Sequence, residues 1–458
     1  MFSFMKQGPV FYKQVLFLAT PIVLQNLITS TLGMADTFMV GMLGEAPMAA
    51  VTLANIPLYV VQMFIFGVQS GSSVLVSQYW GKQDMEAINR VLGVALWVVL
   101  LVSSIFAAIL VICPLEFLSL FGNEREVIEL AAQYGSIAGL SYVLTAFTMM
   151  YVAIYRSMER PQLGMYILVA SMTANTFLNW VFIFGKLGAP ALGVRGAAVA
   201  TLIARLLEVA IVVTHMVKSR FFRVHLHLLL RPGREMVRRF LHYGGLVVFN
   251  ETTWGLGASV FPTIMGHMAG STEILAAYTV AGNVDKICMV ISFGLATTAA
   301  IIIGREVGAG RLEKVRSMGR ALSVLAVLCG LGVCGLLLLF AHVAAPAWVF
   351  PLFGMSPRAS SIAVMMMTVL AFIRPLRDFN SVVIVGVLRG GGDVKAATLI
   401  DTLPQWLAAI PAAFLLGMVF HAEILWVYLA TTLESIVKFG FGLWRTSSDN
   451  WIRDLTRA

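Results

Sequence analysis

Two carboxylates in long apolar segments, Asp36 and Glu251, have no basic residue three or four positions away to pair with on a helical face. An ionisable side chain inside a bilayer costs several kcal/mol unless it is paired or hydrated. Burial disfavours the charged form of a carboxyl group, so such a group takes up a proton or metal cation and releases it when water or a cationic ligand arrives. This chemistry can couple a cation to a second solute. The alternatives are an interfacial carboxylate wetted from the outer side for Asp36 and a hydrogen-bonded structural acid for Glu251.

Other charged residues in apolar segments occur at helical spacings. Three pairs place both charges on one helical face: Arg205 with Glu208, Arg374 with Asp378, and Glu434 with Lys438. We expect the first and third to be structural ion pairs. Asp285 and Lys286 are adjacent, so they point in different directions and need other partners. The sequence assigns no role to these two residues or to Asp401.

Long apolar helices must position these groups. Of 458 residues, 59% are hydrophobic and only 12% are charged, against about 25% charged in soluble domains. Crossing the hydrocarbon takes roughly 20 helical residues. The first apolar run is too long for a signal-peptide core, and we expect it to be retained. The sequence predicts an all-α integral membrane protein of about twelve transmembrane helices, near residues 14–40, 49–76, 91–112, 127–153, 163–185, 196–217, 241–267, 273–303, 321–341, 359–384, 396–419 and 424–444.

The predicted helices divide into two similar halves. The segment MAAV at 48–51 aligns with LAAY at 275–278, although chance matching of common apolar residues is an alternative explanation. We expect an N-terminal six-helix lobe over 1–217, a basic cytoplasmic connector over 218–240 and a C-terminal six-helix lobe over 241–458, as in repeat-built carriers. Most of the 32 Lys and Arg residues, Arg389 among them, fall in segments on one side of the membrane. The positive-inside rule therefore places both termini in the cytoplasm.

Uncharged polar residues distinguish the first two predicted helices. Pro21 removes a backbone hydrogen bond and predicts a kink, which is a candidate hinge. The polar residues that follow line a cavity or join neighbouring helices: Gln25, Asn26, Asn55 and Gln69.

The sequence contains no motif for a metal site, a disulfide framework, an enzyme or nucleic-acid binding. The four cysteines have neither metal-ligand spacing nor nearby histidines, which favours inert buried thiols over a disulfide or a metal site. The chain contains no HExxH, GxSxG or Walker pattern, which excludes an ATP-driven pump and argues against a membrane-embedded enzyme. The net charge of +9 lies in short connecting segments, so nucleic acid is not an expected partner.

Several segments together resemble a known family. In the opening stretch ATPIVLQNLITSTLGMADTFMVGMLGEAPMAAV, a proline precedes an Asp-Thr, a Val-Gly and an Ala-Ala-Val. The segments FGVQSGSSVLVSQYWG, NTFLNWVFIFGKLGAPALGVRGAAVATLIAR, AAYTVAGNVDK and DFNSVVIVGVLRGGGDVK follow in order. The sequence thereby resembles the multidrug and toxic compound extrusion (MATE) family. The resemblance implies two six-helix lobes forming a V, alternating access, and export of amphipathic, often cationic compounds in exchange for protons or sodium.

The resemblance also implies roles for single residues. Asp36 matches the acid of the family's first helix, Glu251 the glutamate of the seventh and Asp378 the aspartate of the tenth. The last two belong to the cation site of the sodium-using branch, so the only metal ion expected is sodium at Glu251 and Asp378. Where many members have an asparagine and then an acid in the fifth helix, this chain has Asn175 and Asn179. This departure favours coupling in the second lobe and leaves the two amides as neutral oxygen ligands or as bridges between helices.

We therefore predict a secondary antiporter, a monomer in a cell membrane such as the bacterial inner membrane, that exports an organic cation or drug. It needs no cofactor beyond the coupling ion, a proton or sodium. One alternative is a flippase for a lipid-linked precursor, because the same superfamily contains such proteins. A membrane-embedded enzyme is the other.

Overall fold

A computed structural model of the chain describes residues 7–121, 124–352, 355–448 and 450–456. The side chains of residues 30–38, 45 and 352 lie outside this description. Helices cover every predicted span, and the described residues form no β-strand. The all-α prediction is confirmed, and the twelve-helix architecture in two lobes fits the structure.

The first half of the chain consists of long helices joined by short turns. Its helices are α1 (Pro9–Gly41), α2 (Glu45–Gly81), α3 (Met85–Ile112), α4 (Pro114–Leu118), α5 (Arg125–Ala138), α6 (Leu140–Ser157), α7 (Gln162–Phe184), α8 (Val194–Lys218) and α9 (Leu226–Leu230). The fourth predicted span is formed by α5 and α6, which are bent by 46° at the break between them.

The described part of the second half also consists mainly of long helices, but four π-helical segments interrupt or extend them. Its helices are α10 (Arg234–Gly266), α11 (Ser271–Gly308), α12 (Leu312–Leu339), α13 (Phe350–Leu352), α14 (Pro357–Asn380), α15 (Val394–Pro404), α16 (Ile410–Phe414) and α17 (Ile424–Ser447). The π-helical segments are Phe340–Val349, Ser381–Leu388, Gln405–Ala409 and Leu415–Val419.

Local sequence explains where several helices begin and end. Asp84 precedes α3 and accepts a hydrogen bond from a backbone N–H of its first turn, at 2.9 Å. Ser356 caps α14 in the same way, and Pro357 at the first helical position has no N–H to satisfy. Gly185 ends α7 with φ of +66°, a conformation that residues with a Cβ adopt at a cost. These residues fix the starts of α3 and α14 and the end of α7.

Ten helices in the described part of the chain are long and apolar enough to cross a membrane, and the bent pair of α5 and α6 makes eleven. The remaining predicted span, in α10, is not among them. Its centre carries the polar run Asn250, Glu251, Thr252 and Thr253, which lowers its hydropathy. A helix with such a centre needs polar partners inside the protein.

The chain forms two compact units: Leu24–Val248, and Met1–Val23 with Phe249–Ala458. The expected lobes began at residues 1 and 241, so the start of α1 groups with the second unit instead of the first. Phe11, Val15, Leu18 and Ile22 of α1 are buried in a core with residues of α11, α12 and α14, which explains the grouping. We call the first unit the N unit and the other the C unit.

Small residues allow close helix packing in each unit. In the N unit, a Cβ on Gly71 of α2 would lie 2.7 Å from the Cα of Gly244 in α10. In the C unit, a Cβ on Gly330 of α12 would lie 2.6 Å from the Cα of Pro375 in α14. Contacts this short leave no room for a methyl group, as is common in helix packing within membranes.

Candidate functional site

Glu251, in the middle of α10, forms an ion pair that spacing along its own helix did not reveal. Its Oε1 accepts a hydrogen bond from Nη1 of Arg389 at 2.5 Å. The Arg389 side chain is only 1% exposed, although the sequence placed this residue among the cytoplasmic basic residues. Arg389 directly follows a continuous helical run from Pro357 to Leu388, and its side chain is buried within the protein.

Asp401 of α15 joins the same network, and sequence reasoning had assigned it no role. Its Oδ1 lies 2.9 Å from Nζ of Lys438, and its Oδ2 lies 3.6 Å from Nη2 of Arg389. The amide of Asn250 donates to Asp401 at 2.8 Å and accepts from Thr402 at 2.7 Å. The one available signal was that Asp401 is an ionisable residue within an apolar segment.

Lys438 links the network to a third acid. Its Nζ lies 3.1 Å from Oε2 of Glu434, four residues earlier in α17, so the expected ion pair is confirmed. Lys438 also bonds Asp401, however, and is therefore shared between two carboxylates. The intrahelical pair is one end of a longer chain of charges.

These five charged residues, which we call the Arg389 group, contain one carboxylate more than they contain basic groups. Their order along the ion pairs is Glu251, Arg389, Asp401, Lys438 and Glu434. All five side chains are at most 16% exposed. An uncompensated buried charge is costly, so the group favours one additional monovalent cation.

A second set of charges, which we call the Arg374 group, is balanced. Its members are Asp285 and Ser292 of α11 and Arg374, Arg377 and Asp378 of α14. Arg374 lies 2.7 Å from Asp378 and 2.9 Å from Asp285, and Arg377 lies 2.7 Å from Asp285. The partners that Asp285 needed are therefore these two arginines. Lys286 is exposed and has no ion pair among the described residues.

Asp378 is held by two neighbours in this group. Ser292 donates to its Oδ1 at 2.5 Å, and Arg374 bonds both residues, at 2.7 Å to Asp378 and 2.6 Å to Ser292. Arg374 and Asp378, which helical spacing places on one face, therefore form an ion pair. Glu251 and Asp378 thus bind different arginines, Arg389 and Arg374, so the structure does not bring the two acids into one ion pair network.

A cavity of about 110 Å³ in the C unit touches both groups. Its charged lining residues are Asp285 and Arg377 of the Arg374 group and Glu434 of the Arg389 group. Trp254, Phe261, Tyr278 and Tyr428 supply its aromatic walls. Pockets for drug-sized ligands measure about 300–1,000 Å³, whereas a water molecule takes about 30 Å³. The cavity therefore suits a few water molecules or a small cation.

The candidate residues of the N unit are mostly neutral. Asn179 donates to Asn175 at 3.2 Å, and Asn175 donates to Thr201 of α8 at 3.4 Å. Asn175 therefore bridges α7 and α8, which is one of its two expected roles. Arg205 and Glu208 form the expected ion pair, and Thr148 donates to Glu208 at 3.2 Å.

The predicted cavity and hinge residues occupy helical positions with different surroundings. α1 continues as one helix through Pro21, which is buried. Gln25 is also buried and packs against Gly164, where a Cβ would lie 2.1 Å from the Gln25 amide nitrogen. Asn26 and Asn55 are half-buried. Gln69 is buried, and its Oε1 accepts a hydrogen bond from Nη2 of Arg156 at 3.5 Å. The side chain of Asp36 lies outside the described residues.

Comparisons with known proteins decide the family. The model of the MatE family matches residues 21–181 and 252–415, which is most of the chain. The chain belongs to the MatE family. The resemblance seen in the sequence is therefore confirmed, and a MatE protein is a membrane transporter, not an enzyme.

Relatives of this MatE protein extend over nearly its whole length. A probable multidrug resistance protein NorM of Thermotoga maritima is 23% identical, over 97% of this chain and 94% of its own. A protein of the same description from Rhizobium meliloti is 28% identical, over 87% and 85%. An outward-facing multidrug resistance MATE family transporter of the MOP superfamily has a TM-score of 0.84 at 19% identity, over 96% of both chains. A MOP superfamily transporter from Pyrococcus furiosus has a TM-score of 0.83 at 20% identity, over 97% of this chain and 98% of its own. These structures share the fold.

Only some residues of the Arg389 group lie inside the segments matched by the MatE model. Arg389 and Asp401 lie inside the second matched segment, and Glu251 directly precedes it. Glu434 and Lys438 of α17 lie beyond residue 415, outside the matched segments. The excess carboxylate thus depends partly on residues that the family match does not include.

Proposed function

We propose that this MatE transporter is a secondary antiporter that exports amphipathic, cationic organic compounds in exchange for protons or sodium. The observation that carries this proposal is the Arg389 group, in which one buried carboxylate has no basic group of its own. Relatives described as multidrug resistance proteins support the class of substrate. The sequence-based orientation supports cytoplasmic termini in a plasma membrane.

The excess carboxylate gives exchange a physical basis. With a cation bound, the Arg389 group is neutral and can remain in a low-dielectric environment. When the cation leaves, the uncompensated charge favours contact with water or with a cationic substrate. One elementary charge crossing 100 mV contributes about 2.3 kcal/mol, enough for a roughly fifty-fold gradient of substrate.

Among the acids that the sequence singled out, Glu251 fits coupling best. It belongs to the unbalanced Arg389 group, whereas Asp378 is matched by Arg374 and bonded by Ser292. We therefore propose Glu251 as a coupling acid and Asp378 as a residue that holds Arg374 in place. Asp36 remains a predicted coupling acid, from its position in an apolar segment and from the resemblance.

The test uses the purified protein in liposomes. Efflux of ethidium is measured under an inward-directed sodium gradient and, separately, under a proton gradient, with protein-free liposomes as the control. We expect one gradient to drive ethidium export, which identifies the coupling ion. Export under neither gradient would overturn the antiporter proposal and favour a lipid substrate.

A further inference from the structure

The distances in the Arg389 group show which acid is left over in this conformation. The two shortest contacts are Glu251 with Arg389 at 2.5 Å and Asp401 with Lys438 at 2.9 Å. The contacts between these two pairs and with the third acid are longer, 3.6 Å from Arg389 to Asp401 and 3.1 Å from Lys438 to Glu434. Glu251 with Arg389 and Asp401 with Lys438 are the closer pairs in this conformation, and Glu434, which shares Lys438 with Asp401 at the end of the group, is the candidate for the excess carboxylate.

Glu434 is also poorly satisfied by hydrogen bonds. The residue is 8% exposed, and its buried Oε2 is in an ion pair whose geometry falls short of a regular hydrogen bond. Lys438 Nζ is 3.1 Å away, but it also bonds Asp401 at 2.9 Å. One ammonium group is thus shared between two buried carboxylates, and an added cation can compensate for the remaining negative charge.

The surroundings of Glu434 give a small ion a place next to it. Glu434 lines the cavity of about 110 Å³, together with Tyr278, Tyr428, Asp285 and Arg377. Arg377 faces the same space but is bonded to Asp285 at 2.7 Å. Because the Arg374 group is balanced, adding it to the count leaves the excess of one carboxylate unchanged.

We propose that Glu434 binds the coupling cation, a proton or a sodium ion, which reaches it through this cavity. The proposal rests on the antiport function proposed above and assigns its ion site to α17, outside the segments matched by the family model. A cavity of this size admits the small ion and excludes the organic substrate.

The same geometry provides two alternative pairings. With a cation at Glu434, the pairs are Glu251 with Arg389 and Asp401 with Lys438, as in this structure. With a cation at Glu251 instead, Arg389 pairs with Asp401 and Lys438 pairs with Glu434, across contacts that are already 3.6 and 3.1 Å long. When the cation moves from Glu434 to Glu251, Arg389 and Lys438 therefore both change partners. The group thus has two states, and the binding of a cation or a substrate can favour one over the other.

The test measures cation binding separately from transport. The midpoint of thermal unfolding of the purified protein is followed against sodium concentration, with choline as the control salt, and against pH, because a ligand that binds the folded state stabilises it. Glu434→Asp keeps every charge but shortens the ligand. We expect it to weaken the apparent sodium affinity about tenfold or more, and Glu434→Gln to abolish both the sodium response and the pH response.

Two further variants make the result specific. Glu423→Gln changes an exposed acid just before α17 and is expected to keep the wild-type response. Glu434→Gln with Lys438→Gln leaves Glu251, Arg389 and Asp401, again with one excess carboxylate, so a cation response should return. A wild-type response in both Glu434→Asp and Glu434→Gln, in a protein that still exports ethidium, would overturn the site while leaving the antiporter intact. If the wild-type protein does not export ethidium, the proposed antiport function itself is wrong, and the ion site that rests on it has no support.

Discussion

The Arg374 group and the Arg389 group lie in the same unit and are built from the same kinds of residue, but their charges balance differently. The Arg374 group contains two acids and two arginines, with a serine between Arg374 and Asp378. The Arg389 group contains three acids and two basic residues. A balanced buried group is complete without a ligand, whereas an unbalanced one needs a cation. Charge balance, not burial, therefore distinguishes the Arg374 group from the proposed coupling site.

The largest expected effect comes from breaking the balanced group. Arg374→Gln leaves Asp378 buried without its basic partner, and the loss of one member of a buried pair costs about 3–5 kcal/mol. We expect a correspondingly lower free energy of unfolding, measured by denaturant titration in detergent.

A double variant separates charge balance from packing at this position. Arg374→Gln with Asp378→Asn restores a neutral group, so it should recover a large part of the lost stability. If the double variant is as unstable as the sum of the two single variants, the balance of charge is not what stabilises the Arg374 group.

A smaller effect on stability, but a full effect on coupling, is expected in the Arg389 group. Glu251→Gln makes this group neutral without a cation, with Arg389 paired to Asp401. At 100 mV, the wild-type accumulation ratio of up to about fifty-fold for one coupled charge should fall to one, as measured by ethidium transport in liposomes.

The matched control for this variant lies on the same helix. Glu235→Gln removes an exposed acid that pairs with Arg239 in the first turns of α10, and surface pairs of this kind contribute little. Glu235→Gln should transport normally. Normal cation-coupled export by an inserted Glu251→Gln protein would contradict the assigned role.

The smallest effect is expected among the neutral amides of the N unit. Asn175→Ala removes hydrogen bonds to Thr201 and Asn179, at a cost of about 1 kcal/mol. The sodium and pH dependence of thermal unfolding should stay as in the wild-type protein, because no charge changes. A changed cation dependence would show that these amides are ligands and not only a bridge between helices.

Local patterns predicted much of this molecule. The apolar runs predicted helices at every span, because length and hydropathy are properties of a single segment. The pairs Arg205 with Glu208, Arg374 with Asp378 and Glu434 with Lys438 followed from helical spacing. The family followed from ordered motifs, and the MatE match confirms it.

The sequence by itself therefore determined the membrane class, the helices and which acids lie in apolar segments. Only the tertiary structure decided which charges meet. Glu251 and Arg389 are far apart in the chain, as are Asp401 and Lys438, and no spacing along one helix relates them. The burial of Arg389 against Glu251 likewise became visible only in the tertiary structure. The balance of a buried group is a sum over several helices, so it exists only once those helices have packed together.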